Sequence, residues 1–105
     1  MPSNFLSKLI NDPLGDPGMM VEFLCEQRAL QFDLGDLSLI KNGELLKISH
    51  VFISHTHIDH FIGFDHLLRV VFGRSKTIYL YGPENFIDNV AGKLAGFTWN
   101  LVDRY

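Results

Sequence analysis

The feature that most constrains this chain is the junction where an apolar run, V-F-I at residues 51–53, meets the heptapeptide S-H-T-H-I-D-H at residues 54–60. A run without polar alternation is typical of a strand that is covered on both faces. After the junction, apolar residues recur at helical spacing between Phe64 and Phe72. The sequence therefore predicts a buried β-strand that ends in a histidine-rich loop and continues into a helix.

Three histidines and an aspartate fall within six residues of this loop. His55 and His57 are two residues apart, so both imidazoles can reach one ion from an extended loop. Asp59 and His60 follow where the helix begins, and are displaced toward a second ion about 3.5–4 Å away. Imidazole and carboxylate without thiolate suit zinc, and also manganese or iron. The alternative, a surface loop that is rich in histidine by chance, explains this density of donors poorly.

Two other histidines, His50 at the start of the predicted strand and His66 on the helix, are not expected to be ligands. Alternation and turn residues predict the remaining elements. The predicted strands cover residues 21–25, 30–34, 50–54, 76–81 and 99–102, and the predicted helices cover residues 4–10, 37–40, 64–72 and 83–96, with a turn at 41–43. The order is a hairpin followed by strand-helix-strand-helix, which indicates an α/β (α+β) fold.

The length of 105 residues limits the chain to one domain, residues 1–105, with a loop-rich N-terminal segment at residues 1–18. Nine phenylalanines and a hydrophobic content of 47% indicate more apolar surface than a small core hides, so a partner surface is expected. A net charge of −3 argues against a globally basic nucleic-acid binder. The local exception is the acid-free stretch at residues 66–76, which contains Arg69, Arg74 and Lys76.

The single cysteine, Cys25, excludes an intrachain disulfide and is compatible with a reducing cytoplasm. Because it lies in an apolar stretch, we expect Cys25 to be a core thiol. No apolar run reaches 18 residues, and the N-terminus lacks the pattern of a signal peptide. We therefore expect a cytoplasmic protein with no membrane partner.

The residues His55-x-His57-x-Asp59-His60 resemble the HxHxDH signature of the metallo-β-lactamase superfamily. The similarity runs from about residue 19 onward and includes the early hairpin and an aspartate, Asp33, at a strand end. It implies a four-layer αββα sandwich of two similar halves, of which this chain is the first half. The superfamily completes its site with a further histidine, a bridging aspartate and a last histidine. We therefore expect the domain to be incomplete at its C-terminus.

Within the superfamily, the chain is similar to ribonuclease Z, the endonuclease that processes tRNA 3′ ends. The similarity rests on a single glycine in F-I-G-F at residues 61–64, on F-G-R-S-K at 72–76 and on Y-G-P at 81–83. Two family features are missing: the glycine- and threonine-containing strand-loop at the start, and a long exosite arm. The resemblance implies a metal-dependent hydrolase of phosphodiesters in RNA. Two alternatives stay open: a hydrolase of a small ester, thioester or lactam, and an inactive half-domain that serves only folding or assembly.

The same resemblance implies a role for each site residue. Two divalent ions activate water for hydrolysis, the first held by His55 and His57, the second by Asp59 and His60. Asp59 is also placed to orient the water or take its proton, which makes it the candidate catalytic residue. Asp33 is expected to support the ligand loop through hydrogen bonds.

The basic residues Arg69, Arg74 and Lys76 are expected to contact backbone phosphates of the substrate. The expected partners are therefore RNA or another phosphodiester, together with the missing C-terminal half or a second copy of the chain. Two protein ligands per ion are too few for a tight site, since catalytic zinc normally has three and a water. The remaining ligands must come from that further polypeptide.

Overall fold

The computed structural model describes residues 4–98, which form one five-stranded mixed sheet with the strand order β1-β2-β3-β4-β5. Strand β2 pairs antiparallel with both β1 and β3, whereas β4 pairs parallel with β3 and β5 pairs parallel with β4. The strands are β1 Phe5–Leu9, β2 Met19–Phe23, β3 Arg28–Phe32, β4 Ile48–Phe52 and β5 Tyr79–Tyr81. The strand predicted at residues 99–102 lies outside the described residues.

The helices connect the parallel strands and follow them, as parallel pairing requires a crossover between strands. They are α1 Asn42–Leu45, α2 Ile58–Phe61, α3 Phe64–Val71 and α4 Phe86–Ala95. Helices α2 and α3 lie between β4 and β5 in the chain, and α4 follows β5. From β2 onward the elements follow the predicted order, a hairpin and then strand-helix-strand-helix, whereas β1 adds a strand before the hairpin. Among the described residues, no helix is long and apolar enough to cross a membrane.

The hydrophobic core lies between the helices and one face of the sheet. Its members from β4 and the helices include Val51, Phe61, Phe64, Leu67 and Phe86, each at most 6% exposed. Because successive strand residues point to opposite faces, the neighbours of Val51 in β4 point away from this core. The core therefore fixes β4 and the start of α3, the two elements that flank the histidine-rich loop.

The opposite face of the sheet presents a row of stacked rings across β3, β4 and β5. The ring centroids of Phe32 and Phe52 are 5.1 Å apart, and those of Phe52 and Tyr81 are 5.0 Å apart. His50, which lies within β4, stacks on Tyr79 at 5.1 Å. Phe32, Tyr79 and Tyr81 are 37%, 54% and 49% exposed. An apolar surface of this kind is typical of an interface.

The helix predicted over residues 4–10 is wrong, because this segment forms strand β1. Its apolar residues come as two adjacent pairs, which fit a helix and a strand equally well. Antiparallel pairing decides between them: β1 aligns with β2 from Phe5 opposite Phe23 to Leu9 opposite Met19. Ile10, directly after the strand, is 1% exposed and belongs to the core.

Two further local predictions are wrong. Residues 37–40 form a turn, in which the Ile40 N–H donates to the Leu37 carbonyl, and the helix begins instead at Asn42, inside the predicted turn. Cys25 is exposed rather than buried. It is exposed because β2 ends at Phe23 and leaves Cys25 in the turn that leads to β3.

Candidate metal centre

The histidine loop, residues 54–60, begins two residues after β4, at the edge of the sheet where the parallel strands end. The backbone at His57 is extended, with φ −60° and ψ 149°, and helix α2 begins at the next residue. Both ends of the loop are fixed to neighbouring strands. The Ile53 N–H donates to the Tyr81 carbonyl at 2.8 Å, and the Leu34 N–H donates to the His60 carbonyl at 2.8 Å. The loop therefore projects from a rigid base.

The structure brings the four predicted ligands together. The ring centroids of His55 and His57 are 4.6 Å apart with the rings nearly perpendicular, and those of His55 and His60 are 3.9 Å apart. Asp59 lies beside His60, with its Oδ2 atom 3.8 Å from His60 Nε2. Three imidazoles and one carboxylate thus share one end of the sheet.

These donors are of the right kind for a divalent ion, because neutral imidazole and carboxylate bind zinc, manganese and iron. They do not close a site by themselves. Within residues 4–98, no group of three or more histidine, cysteine, aspartate or glutamate side chains is arranged to hold one ion. A catalytic zinc ion normally has three protein ligands and a water. The residues therefore fit a divalent metal as part of a donor set that other side chains must complete.

Asp33 lies beneath the loop and binds both Ser54 and His60. Its Oδ1 atom accepts the Ser54 backbone N–H at 2.8 Å, and both carboxylate oxygens lie within 3.0 Å of the Ser54 hydroxyl. Its Oδ2 atom is 3.1 Å from His60 Nδ1. A hydrogen on Nδ1 satisfies this contact and leaves the lone pair of His60 on Nε2, the nitrogen that faces Asp59.

The same contacts determine the charge of Asp33. Partial burial alone would raise the pKa of its carboxyl, but the hydrogen bonds from the Ser54 backbone, His60 and the Ser54 hydroxyl outweigh it. The pKa of Asp33 therefore lies below its ordinary value. Asp33 also has a left-handed backbone, with φ 60°, which aspartate tolerates better than most residues. Gln31, fully buried, donates to the Asp33 carbonyl at 2.8 Å and helps to hold this turn.

Ser54 is a contact residue that the sequence analysis missed. Its hydroxyl lies 3.0 Å from His55 Nδ1 and 3.4 Å from His60 Nδ1, so it connects two imidazoles and the Asp33 carboxylate. The only available signal was its position, between the strand and the first histidine of the motif. Nothing in the sequence indicated which of its neighbours the hydroxyl would contact.

A close backbone crossing supports the loop from below. The Gly63 N–H, between α2 and α3, donates to the Leu34 carbonyl at 2.9 Å. A Cβ atom at Gly63 would lie 2.2 Å from the carbonyl oxygen of Gly35. Only glycine allows this approach. It holds the segment after Asp33 against the helical end of the histidine loop.

The structure does not bring Arg69, Arg74 and Lys76 to the histidine loop. Strands β4 and β5 are parallel, and α3 returns the chain from the end of β4 toward the beginning of β5. Arg74 and Lys76 precede β5 and so lie at the opposite edge of the sheet. The Arg74 Nε donates to the Val70 carbonyl at 3.2 Å, near the end of α3. Burial lowers the pKa of the Lys76 ammonium.

A sequence profile of the metallo-beta-lactamase superfamily matches residues 10–84, which include the whole histidine loop and Asp33. The chain belongs to the metallo-β-lactamase superfamily. Membership implies that the protein binds divalent metal ions, and the histidine loop contains the imidazole and carboxylate donors that such ions need.

Curated ribonuclease Z proteins are similar to this superfamily member. Ribonuclease Z of Deinococcus radiodurans is 36% identical over 77 residues, which are 70% of this chain and 23% of that protein. Ribonuclease Z of Pyrococcus abyssi is 32% identical over 75 residues, which are 66% of this chain and 24% of that protein. The chain thus spans about a quarter of the length of these relatives, and the predicted resemblance to ribonuclease Z is confirmed.

A solved structure extends the comparison to the fold. The crystal structure of the short form of human tRNase Z matches with a TM-score of 0.65 and 25% sequence identity. The match covers 88% of this chain and 41% of the human chain. The predicted fold class is confirmed: the mixed sheet with its helices corresponds to part of the metallo-β-lactamase domain of that protein.

Proposed function

We propose that the complete protein is a metal-dependent phosphodiesterase that cleaves RNA at tRNA 3′ ends, as ribonuclease Z does. The observation that carries this proposal is the similarity to ribonuclease Z over 70% of the chain, together with the gathered imidazoles and carboxylate of the histidine loop. A cytoplasmic location, predicted from the lone cysteine, belongs to the same proposal.

Within this proposal, His55 and His57 hold one divalent ion, and Asp59 and His60 hold a second. This division follows the resemblance to the superfamily. The closeness of the donors is compatible with two neighbouring ions: His55 lies 4.6 Å from His57 and 3.9 Å from His60 between ring centroids, and Asp59 lies beside His60. Zinc is the first candidate, and manganese or iron is compatible with the same donors. The remaining ligands come from polypeptide outside this chain, since each ion receives only two here.

Divalent ions bound there supply positive charge at the scissile phosphate and lower the pKa of a nearby water. The side chains of this chain orient that water, accept its proton and hold the imidazoles in place. The Asp59 side chain is 54% exposed, so one of its oxygens can orient that water and accept its proton. Asp33 holds His60 in one orientation, and the Ser54 hydroxyl does the same for His55.

We propose that Arg69, Arg74 and Lys76 contact substrate phosphates at a distance from the bond that is cleaved. Helix α3 has eight residues and is about 12 Å long, so its far end lies farther from the histidine loop than a small ester extends. A polynucleotide can reach both places at once, whereas a small ester cannot. Arg69→Ala and Arg74→Ala should therefore raise KM for an RNA substrate in a salt-dependent manner, and leave a small diester unaffected.

The stacked aromatic row on the outer sheet face supports a proposal about the missing polypeptide. Phe32, Tyr79 and Tyr81 are each more than a third exposed, although the other face of the same sheet is packed against helices. The chain corresponds to 41% of human tRNase Z. We therefore propose that the second half of the sandwich covers this face. A second copy of this chain would be the alternative occupant, and a 105-residue chain that self-associates without turnover would support the assembly-only hypothesis.

The experiment that tests the function compares three substrates with the complete, metal-loaded protein. We expect cleavage of a tRNA precursor at its 3′ side and slower hydrolysis of bis-p-nitrophenyl phosphate, because both contain phosphodiester bonds. A thioester serves as the third substrate. Turnover of the thioester alone would overturn the nuclease proposal in favour of the small-ester hydrolase.

A further inference from the structure

The first turns of α4 contact the histidine loop on both of its sides. On one side, the Thr56 hydroxyl donates to Asn89 Oδ1 at 3.0 Å. Thr56 lies between His55 and His57, the two residues proposed to hold one ion. On the other side, the Phe86 ring packs edge-on against Phe61, with centroids 5.6 Å apart and an interplanar angle of 71°. Phe61 directly follows His60.

Close packing against the end of β5 fixes the position of α4. Phe86 is 4% exposed and lies directly over Gly82, where an added Cβ atom would come within 2.2 Å of the Phe86 ring. Gly82 follows the last residue of β5. Asn89 is three residues after Phe86, so the two side chains lie on the same side of the helix. Helix α4 therefore connects the end of β5 to the histidine loop, because Phe86 packs on Gly82 and Asn89 contacts Thr56.

We propose that Asn89 is a positioning residue for the metal centre, acting through its hydrogen bond to Thr56. This inference rests on the proposed metal site. The His55 and His57 rings lie against each other, whereas the Thr56 side chain between them contacts Asn89 on α4. This alternation is the one expected of extended backbone. Holding the Thr56 side chain limits rotation of the backbone on both sides of it. The two imidazoles are then held in one relative orientation before any metal binds.

Loss of this bond should reduce metal affinity only moderately, because it is one neutral hydrogen bond at the protein surface. Its loss should weaken metal affinity about threefold to tenfold. It should leave the fold intact, since Phe86 still anchors α4 against Gly82 and Phe61. A contact that served only overall stability would show the opposite pattern, with an altered unfolding temperature and an unchanged metal affinity.

The test uses matched variants of the complete protein. Thr56→Val keeps the side-chain shape and removes the hydroxyl, Thr56→Ser keeps the hydroxyl, and Asn89→Ala removes the acceptor. The Kd for zinc is measured by competition with a chelator, and the visible spectrum of the cobalt-loaded protein reports ligand geometry. Thermal unfolding of the metal-free proteins checks that the fold is retained.

We expect Thr56→Val and Asn89→Ala each to raise the zinc Kd about threefold to tenfold, and Thr56→Ser to keep it within twofold. The double variant Thr56→Val/Asn89→Ala should be no weaker than either single variant, because both changes remove the same bond. Unchanged zinc Kd and cobalt spectra in the single variants, or additive losses in the double variant, would overturn the inference. If the unaltered protein took up no metal, the proposed metal site itself would fail, and the inference with it.

Discussion

The contact between Asp33 and His60 allows the sharpest test of how this centre is built. Asp33→Asn keeps the size of the side chain, and asparagine tolerates the left-handed backbone at φ 60°. The amide oxygen can still accept the Ser54 backbone N–H. The amide nitrogen, however, replaces the oxygen that lies 3.1 Å from His60 Nδ1. Two N–H donors would then face each other, and His60 must rotate or change tautomer.

The size of the effect follows from the kind of bond that is lost. A hydrogen bond to a charged group contributes about 1.5–3 kcal/mol. His60 and Asp33 are each only 19% exposed at their side chains, so water replaces the lost contact poorly. We therefore expect the free energy of unfolding to fall by about 1–3 kcal/mol. If His60 is a ligand, metal affinity should fall about 10- to 100-fold.

The assay combines urea unfolding of the metal-free protein with a zinc competition titration of the complete protein. Asp36→Asn is the matched control, because the Asp36 carboxylate accepts two hydrogen bonds from Ser38 in the next turn of the chain and none from the histidines. The control should keep the metal affinity of the unaltered protein. Equal zinc affinity for Asp33→Asn and the unaltered protein would refute the reasoning.

Two further predictions concern the ligands and the backbone crossing beneath them. His57→Ala should lose metal and activity together, whereas His66→Ala, on α3 outside the loop, should keep both, as metal analysis and a cleavage assay would show. Retention of full metal content by the His57 variant would count against the ligand assignment. Gly63→Ala should destabilise the protein by about 1–3 kcal/mol in urea unfolding, because its Cβ would meet the Gly35 backbone oxygen at 2.2 Å. Gly92→Ala, in α4 with nothing within 4 Å, should stabilise it by about 0.5–1 kcal/mol; similar values for the two variants would contradict the packing argument.

The spacing of apolar residues predicted an element correctly where it fitted only a strand or only a helix. The alternating runs of β2 and β3, the unbroken apolar run of β4 and the helical spacing of α3 were all found from the sequence, although β2 and β3 each begin two residues earlier than predicted. Residues 4–10 were assigned wrongly because their apolar pairs suit both periods, and only pairing with β2 decides. Pairing is a contact between distant segments, so a local pattern cannot contain it.

The candidate site likewise contains residues that the sequence could predict and contacts that it could not. The six-residue motif identified the four proposed ligands, and the resemblance to the superfamily indicated Asp33, which lies at a strand end. The bond from Thr56 to Asn89 joins residues 33 positions apart, and no periodicity predicts such a contact. The location of Arg74 and Lys76 could have been inferred, since a strand-helix-strand unit with parallel strands places the segment before its second strand at the opposite edge of the sheet.

The most direct test of the central claim is the rate at which the complete protein cleaves a tRNA precursor before and after its metal is removed. We expect cleavage to stop on removal and to return when about two equivalents of zinc or manganese per chain are restored. A protein verified to be free of metal that cleaved the precursor at an unchanged rate would contradict the claim.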